Sequence, residues 1–141
     1  MAGPGGRASH SRGLNGEIAV TGTRLITALV AFVMLAGGLT HVAAPEIFFP
    51  IVPSIFPARL AVLGSGLGEL AIGIAVLVPR FRARAGLAFS LLCFAYMPLH
   101  LWDFIRPDPI FHPWPLAVAR VLLQVGFIMA GLRLARQGEG V

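Results

Sequence analysis

The stretch that decides the fold lies at residues 58–78 and reads ARLAVLGSGLGELAIGIAVLV. It holds one carboxylate, Glu69, and one cation near its start, Arg59. A bilayer with a hydrocarbon core of about 30 Å needs roughly 20 apolar residues in a helix, so this stretch is long enough to cross one. Glu69 then lies near the membrane centre, where an ionised side chain costs about 3 kcal/mol. We therefore expect Glu69 to be neutral, paired, or facing a polar cavity inside the protein.

The composition of the whole chain supports an integral membrane protein. Of its 141 residues, 57% are hydrophobic and 12% are charged, whereas soluble domains carry about 25% charged residues. The net charge is +5, and every basic residue is an arginine. These arginines flank apolar runs instead of forming one basic face, which argues against a nucleic acid partner. The single cysteine, Cys93, excludes an intramolecular disulfide and a CxxC redox pair within the chain.

Three further apolar runs predict spans at about 24–44, 84–102 and 115–135, in addition to 58–78. We predict an all-α fold, a four-transmembrane-helix bundle at residues 24–135. A flexible N-terminal tail at 1–23 and a short C-terminal tail at 136–141 flank it. Two alternatives are a signal peptide cleaved near residues 42–44 and a soluble helical bundle. The run lengths favour four spans over both.

The distribution of arginines predicts the orientation in the membrane. If the spans alternate, only Arg59, Arg106 and Arg120 lie towards one side, and the remaining arginines lie on the other. The positive-inside rule then places both termini in the cytoplasm of a multi-pass protein of the cell inner (plasma) membrane. The outer loops at 45–57 and 103–115 are rich in proline and aromatic residues. We predict that they fold over the outer mouth of the bundle, the alternative being ordinary interfacial connectors.

Polar residues recur on all four predicted spans. Ala61, Ser65, Glu69 and Gly73 follow one another at four-residue spacing, and Gly64 and Gly68 form a second small-residue row. Small residues let helices approach closely in lipid, so we expect these rows to face protein. Counting about 1.5 Å of rise per residue, we predict one polar cluster in the outer half of the bundle. Its members are Glu69, His41, His100, Arg120 and Gln124, with Tyr96, Asp103 and Ser65 beside them.

The residue types predict roles within this cluster. Glu69, His41 and His100 are the candidate catalytic residues, because imidazole and a buried carboxyl group can exchange protons near neutral pH. The candidate ligand-binding residues are Arg120, Gln124, Tyr96, Asp103 and Ser65, with Arg120 as a counter-ion for Glu69 or Asp103. The alternatives are solvated histidines near the interface, an Arg120 that reaches the lipid phosphates, and a Gln124 that only ties two helices together. No close ligand spacing such as HxxxH supports a metal site, so we predict none.

Several motifs in order resemble the DoxX-like family of small four-helix membrane proteins. They are Gly38-x-x-His41, then Pro45 and a Phe/Pro loop, Ser65-Gly66-x-x-Glu69-x-x-x-Gly73 followed by Pro79-Arg80, and Arg120-x-x-x-Gln124. The resemblance covers roughly residues 25–135. Where relatives are expected to carry Pro-x-Asn, this chain has Pro98-Leu99-His100, which replaces a neutral amide with a titratable ring.

The resemblance implies a membrane subunit or partner in quinone- or thiol-linked redox metabolism. Such a protein would have no intrinsic cofactor, would bind a quinone or a lipid around Glu69, and would work with a soluble or membrane oxidoreductase subunit. Two other functions stay open, a structural or assembly module without its own chemistry and a lipid-modifying, isomerase-like enzyme. Whether the chain is an enzyme by itself, and whether it forms homo-oligomers, is left open by the sequence.

Overall fold

A computed structural model describes residues 5–111 and 113–137, with side chains described for Glu17 and from Val20 onward. This part of the chain is helical and contains no strand, which confirms the all-α prediction. The long helices are α1 (Gly5–Ala43), α2 (Ala58–Leu77), α3 (Arg82–Trp102) and α4 (Trp114–Arg136). Short 3-10 helices at Pro45–Ile51 and Pro79–Phe81 lie between them.

Four segments are long and apolar enough to cross a membrane: Val20–Ala43, Ala58–Leu77, Pro79–Trp102 and Trp114–Arg136. They agree with the four predicted spans to within a few residues. Large apolar side chains, among them Phe32 and Phe94, are exposed on the outside of the helices. A contiguous apolar surface of this kind is a liability in water and is suited to lipid. The protein is a multi-pass membrane protein.

The first helix begins at Gly5, although the sequence predicted an irregular tail over residues 1–23. A segment rich in glycine and serine is a poor helix former by itself, because helix nucleation is costly. Here the apolar span has already nucleated the helix, and each further residue adds one hydrogen bond. The predicted boundary at residue 24 therefore lies near the start of the apolar part, Val20, and not at the start of the helix. Residues 1–4 and 138–141 lie outside the described residues.

The bundle is built from two helical hairpins, because α1 packs chiefly against α2 and α3 chiefly against α4. Glycines at the contacts allow the backbones to approach closely. A Cβ atom added to Gly38 in α1 would lie 2.7 Å from the carbonyl oxygen of Gly66 in α2. A Cβ added to Gly131 in α4 would lie 2.6 Å from the carbonyl oxygen of Gly86 in α3. Larger residues at these positions would separate the helices of each hairpin.

The protein-facing row of α2 differs from the predicted one. Its buried members are Val62, Gly66, Glu69, Gly73 and Val76, spaced alternately four and three residues apart. A strict four-residue repeat drifts by about 40° per step around a helix of 3.6 residues per turn. Ala61, at the start of the predicted stripe, is accordingly exposed. The prediction for Gly64 and Gly68 was wrong, because both are exposed and a Cβ added to either would meet nothing within 4 Å.

The two ends of the bundle differ in chemistry. The loop end carries residues 44–57, 103–111 and 113, and the arginine end carries the turn at 78–81 and the C-terminus of α4. At the loop end, the Arg106 guanidinium group donates hydrogen bonds of 3.3 and 3.4 Å to the carbonyl oxygen of Pro50. The same group lies over the Trp102 ring, 4.6 Å from its centroid. Arg106 therefore connects the two proline-rich loops.

Candidate functional site

Glu69 is buried in the middle of α2, with 3% of the residue exposed. Both of its carboxylate oxygens have a partner from a neighbouring helix. Nδ1 of His41, from α1, lies 3.0 Å from Oε2. The hydroxyl group of Tyr96, from α3, donates a hydrogen bond of 3.2 Å to Oε1. We call His41, Glu69 and Tyr96 the Glu69 cluster.

Glycines make the space that this cluster occupies. Gly37 lies one turn before His41 in α1, and a Cβ added to it would lie 2.9 Å from Oε2 of Glu69. A Cβ added to Gly66 would lie 2.7 Å from Cβ of His41. The absence of both methyl groups lets the carboxylate and the imidazole meet. Sequence reasoning assigned neither glycine to the site, although the Gly37-Gly38 pair facing a small-residue row of α2 was a signal for a close contact.

Two other residues border the cluster. The Phe48 ring packs edge-on against the His41 imidazole, with ring centroids 4.0 Å apart and an interplanar angle of 70°. This contact holds the orientation of the imidazole, and no sequence pattern singled out Phe48 for it. The Ser65 hydroxyl donates to the carbonyl oxygen of Val62 at 2.9 Å and also interacts with Tyr96. Ser65 thus supports Tyr96.

A second group of polar residues lies between α3 and α4. The Gln124 amide donates a hydrogen bond of 2.6 Å to the carbonyl oxygen of Cys93. His100 is buried beside Gln124, and its Nδ1 has no hydrogen-bond partner among the described residues. Arg120 lies over the Phe111 ring, 4.0 Å from its centroid, and interacts electrostatically with Asp103. We call His100, Asp103, Arg120 and Gln124 the Arg120 cluster.

The structure therefore distributes the predicted site residues over two clusters. His41 and Tyr96 contact Glu69, and Ser65 borders them. Arg120 was predicted as a counter-ion for Glu69 or Asp103, and it lies with Asp103. The residue within ion-pair distance of Glu69 is His41. The separation follows from the packing, because α4 pairs with α3 and the carboxylate of α2 faces α1 and α3.

The Glu69 cluster has the chemistry of a proton-exchange site. Imidazole, carboxyl and phenol groups can each gain or lose a proton, and a hydrogen bond between two of them lets a proton move from one to the other. His41 is partly exposed, with 15% of its side chain accessible, whereas the side chain of Glu69 is buried in the bundle. Among the side chains that the structure describes, no three from His, Cys, Asp or Glu come together in a group that could hold a metal ion.

One family model matches the chain over residues 29–135, and its description is a domain of unknown function, DUF8561. The matched range contains both clusters and all four membrane-spanning segments, apart from residues 20–28 of the first segment and residue 136 of the fourth. None of the curated proteins and none of the solved structures compared with the chain matches it.

Proposed function

We propose that this chain, which belongs to the DUF8561 family, is a membrane subunit or partner in quinone- or thiol-linked redox metabolism. In this proposal the Glu69 cluster receives the polar head of a quinone or a similar amphipathic ligand. The observation that carries it is a carboxylate, 3% exposed, whose two oxygens contact His41 and Tyr96 inside a membrane-spanning bundle.

The burial of Glu69 supports a functional role. Ionisable side chains inside the membrane are expensive, and they generally mark ligand sites or proton pathways. Two of the helices around Glu69 offer it titratable groups, so the cluster can pass protons to a bound molecule. Reduction of a quinone to a quinol consumes two protons and two electrons. The Glu69 cluster would exchange the protons, and the partner oxidoreductase would supply the electrons.

The proposed orientation places both termini in the cytoplasm and the loop end outside. It rests on the arginines, since Arg80, Arg82, Arg84, Arg133 and Arg136 all belong to the arginine end of the bundle. Basic residues in short loops are retained on the cytoplasmic side. A ligand would then reach the Glu69 cluster from the outer leaflet, beneath the loops joined by Arg106. We place the protein in the inner (plasma) membrane of the cell.

The test is to measure the molecules that co-purify with the protein. The wild-type chain is purified in a neutral detergent, and extracted quinones and lipids are quantified by liquid chromatography and mass spectrometry. We expect a quinone in the wild type and at least a tenfold lower content in Glu69→Gln. Glu46→Gln is the matched control, because Glu46 is exposed at the loop end and undergoes the same chemical change. Equal quinone contents in the wild type and both variants would contradict the proposal.

A structural or assembly module is the second candidate, and one observation favours it. The contacts with His41 and Tyr96 satisfy both carboxylate oxygens of Glu69. Helices α1 and α2 also approach closely at Gly38 and Gly66. The cluster therefore also holds α1, α2 and α3 together. In this case Glu69→Gln would lower the melting temperature and leave the ligand content unchanged. A lower ligand content at an unchanged melting temperature would support the ligand site instead.

A further inference from the structure

A groove of about 550 Å³ follows α4 towards the arginine end of the bundle. The residues that line it include Gly126, Met129, Ala130, Arg133, Arg136 and Gln137. Because they are spaced by three and four residues, they share one face of the helix. The groove is thus apolar within the span and ends at two guanidinium groups.

Gly126 leaves the apolar part of the groove open, because this residue has no side chain. A Cβ added to this glycine would meet nothing within 4 Å, and Met129 beside it is exposed. Since α4 is one of the four membrane-spanning segments, this part of the groove faces acyl chains and not water. An acyl chain can lie in the space that a larger residue at 126 would fill.

The charged part of the groove lacks a protein partner among the described residues. Arg133 and Arg136 are both exposed, and neither forms an ion pair in this part of the chain. Nη2 of Arg133 lies close to α1, since a Cβ added to Gly22 would be 3.6 Å from it. Four more arginines with described side chains belong to the same end, namely Arg24, Arg80, Arg82 and Arg84. Among the described carboxylates, only Glu17 belongs to this end of the bundle.

We infer that the groove binds an anionic phospholipid of the bilayer, with an acyl chain along Gly126 and Met129 and the phosphate between Arg133 and Arg136. Guanidinium groups match the oxygen geometry of phosphate and bind it in a bidentate manner. A guanidinium group that contacts the phosphate directly should strengthen binding about fivefold, the net contribution of one hydrogen bond. This inference does not depend on the proposed function of the Glu69 cluster.

Native mass spectrometry of the full chain in neutral detergent tests the charged part. The probe is dioleoyl phosphatidylglycerol, and dioleoyl phosphatidylcholine is the zwitterionic comparison. We expect the wild type to retain phosphatidylglycerol preferentially, and the double variant Arg133→Gln/Arg136→Gln to bind it roughly 30-fold more weakly. The control is Arg80→Gln/Arg84→Gln, which removes the same charge from exposed positions of the same end. An equal loss in both double variants, or equal retention of the two lipids by the wild type, would overturn the inference.

A second pair of variants tests the apolar part. Gly126→Leu fills the groove without removing charge, whereas Gly64→Leu adds the same side chain at another open position, on α2. We expect phosphatidylglycerol retention to fall severalfold in the first variant and to stay unchanged in the second. Glycerol phosphate, which has the headgroup charge without acyl chains, should fail to displace the lipid at equal concentration. Full displacement by glycerol phosphate, or equal retention by both leucine variants, would show that the groove binds no acyl chain and would refute the proposed site.

Discussion

Gly37 and Gly38 are neighbours in α1, yet a methyl group added at each would meet different atoms. At Gly37 it would lie 2.9 Å from Oε2 of Glu69, the far end of a flexible side chain. At Gly38 it would lie 2.7 Å from the backbone oxygen of Gly66 and 3.0 Å from the backbone nitrogen of Leu70. A side-chain end can turn away, whereas two packed helices must separate.

We predict that Gly37→Ala mainly alters the Glu69 cluster, whereas Gly38→Ala mainly lowers the stability of the fold. Gly38→Ala should lower the free energy of unfolding by about 1–3 kcal/mol, the usual range for overpacking. Gly37→Ala should cost less than about 1 kcal/mol and should reduce the quinone content, because the carboxylate is displaced from His41. Denaturant unfolding in detergent and the ligand measurement check both. A larger loss of stability in Gly37→Ala than in Gly38→Ala would contradict this prediction.

Tyr96 and Glu69 form one unit, since the phenol donates to a carboxylate that is buried. We predict that Tyr96→Phe lowers the free energy of unfolding by about 1–3 kcal/mol, because it leaves a buried acceptor with one donor fewer. In a Glu69→Gln background the same change should cost less, with a coupling energy of about 1 kcal/mol. A double-mutant cycle measured by denaturant unfolding gives this energy. Additive effects would show that the 3.2 Å contact contributes nothing to stability.

At the level of secondary structure elements, Asp103 organises the loop between α3 and α4. Its carboxylate accepts hydrogen bonds of 2.7 and 2.9 Å from the backbone N–H groups of Ile110 and Phe111. Burial acts to raise the pKa of Asp103, but these two hydrogen bonds, with Arg106 and Arg120 nearby, outweigh it and hold the pKa below its ordinary value. The charged carboxylate therefore stabilises the folded loop.

The pH dependence follows from the sign of this shift. A carboxyl group whose pKa is lower in the folded state stabilises the fold above its unfolded pKa of about 3.9, and this contribution is lost as the pH falls through the folded pKa. We predict that Asp103→Asn lowers the free energy of unfolding by about 2 kcal/mol at neutral pH. The difference from the wild type should shrink below about pH 4.

Unfolding measured from acidic to neutral pH checks the Asp103 prediction. Asp108→Asn is the matched control, because Asp108 is an exposed residue of the same loop. It should change stability by less than about 0.5 kcal/mol at every pH. A difference between wild type and Asp103→Asn that grows on acidification would contradict a lowered pKa of Asp103 in the folded state.

For the whole molecule, the arginine distribution predicts which end faces the cytoplasm. Cys93, the single cysteine, is buried, so cysteines introduced at the surface can be labelled over a low background. We predict that Ile55→Cys, at the exposed loop end, reacts with a membrane-impermeant maleimide in intact cells. Gln137→Cys, at the exposed arginine end, should react only after permeabilisation. The reverse pattern would invert the proposed topology.

The four spans were predictable because they depend on local properties. Each is a run of apolar residues of sufficient length, and the membrane requires such a run to be helical, since every backbone polar group must find its partner within the segment. The position of Glu69 at mid-span is likewise a matter of counting residues. The extension of α1 to Gly5 was missed because it depends on the apolar part of the same helix, which is already formed and can be lengthened residue by residue.

The partners of Glu69 were only partly predictable, because they depend on which helices pair. Depth along each span follows from the sequence by counting residues. Rotation of each helix does not, since it is set by contacts such as Gly38 against Gly66 and Gly131 against Gly86. Those contacts turn Glu69 towards His41 and Tyr96 and place Arg120 with Asp103. In lipid, apolar side chains are solvated equally well on every side, so hydrophobicity fixes the number and depth of the helices, and close packing fixes what their polar groups meet.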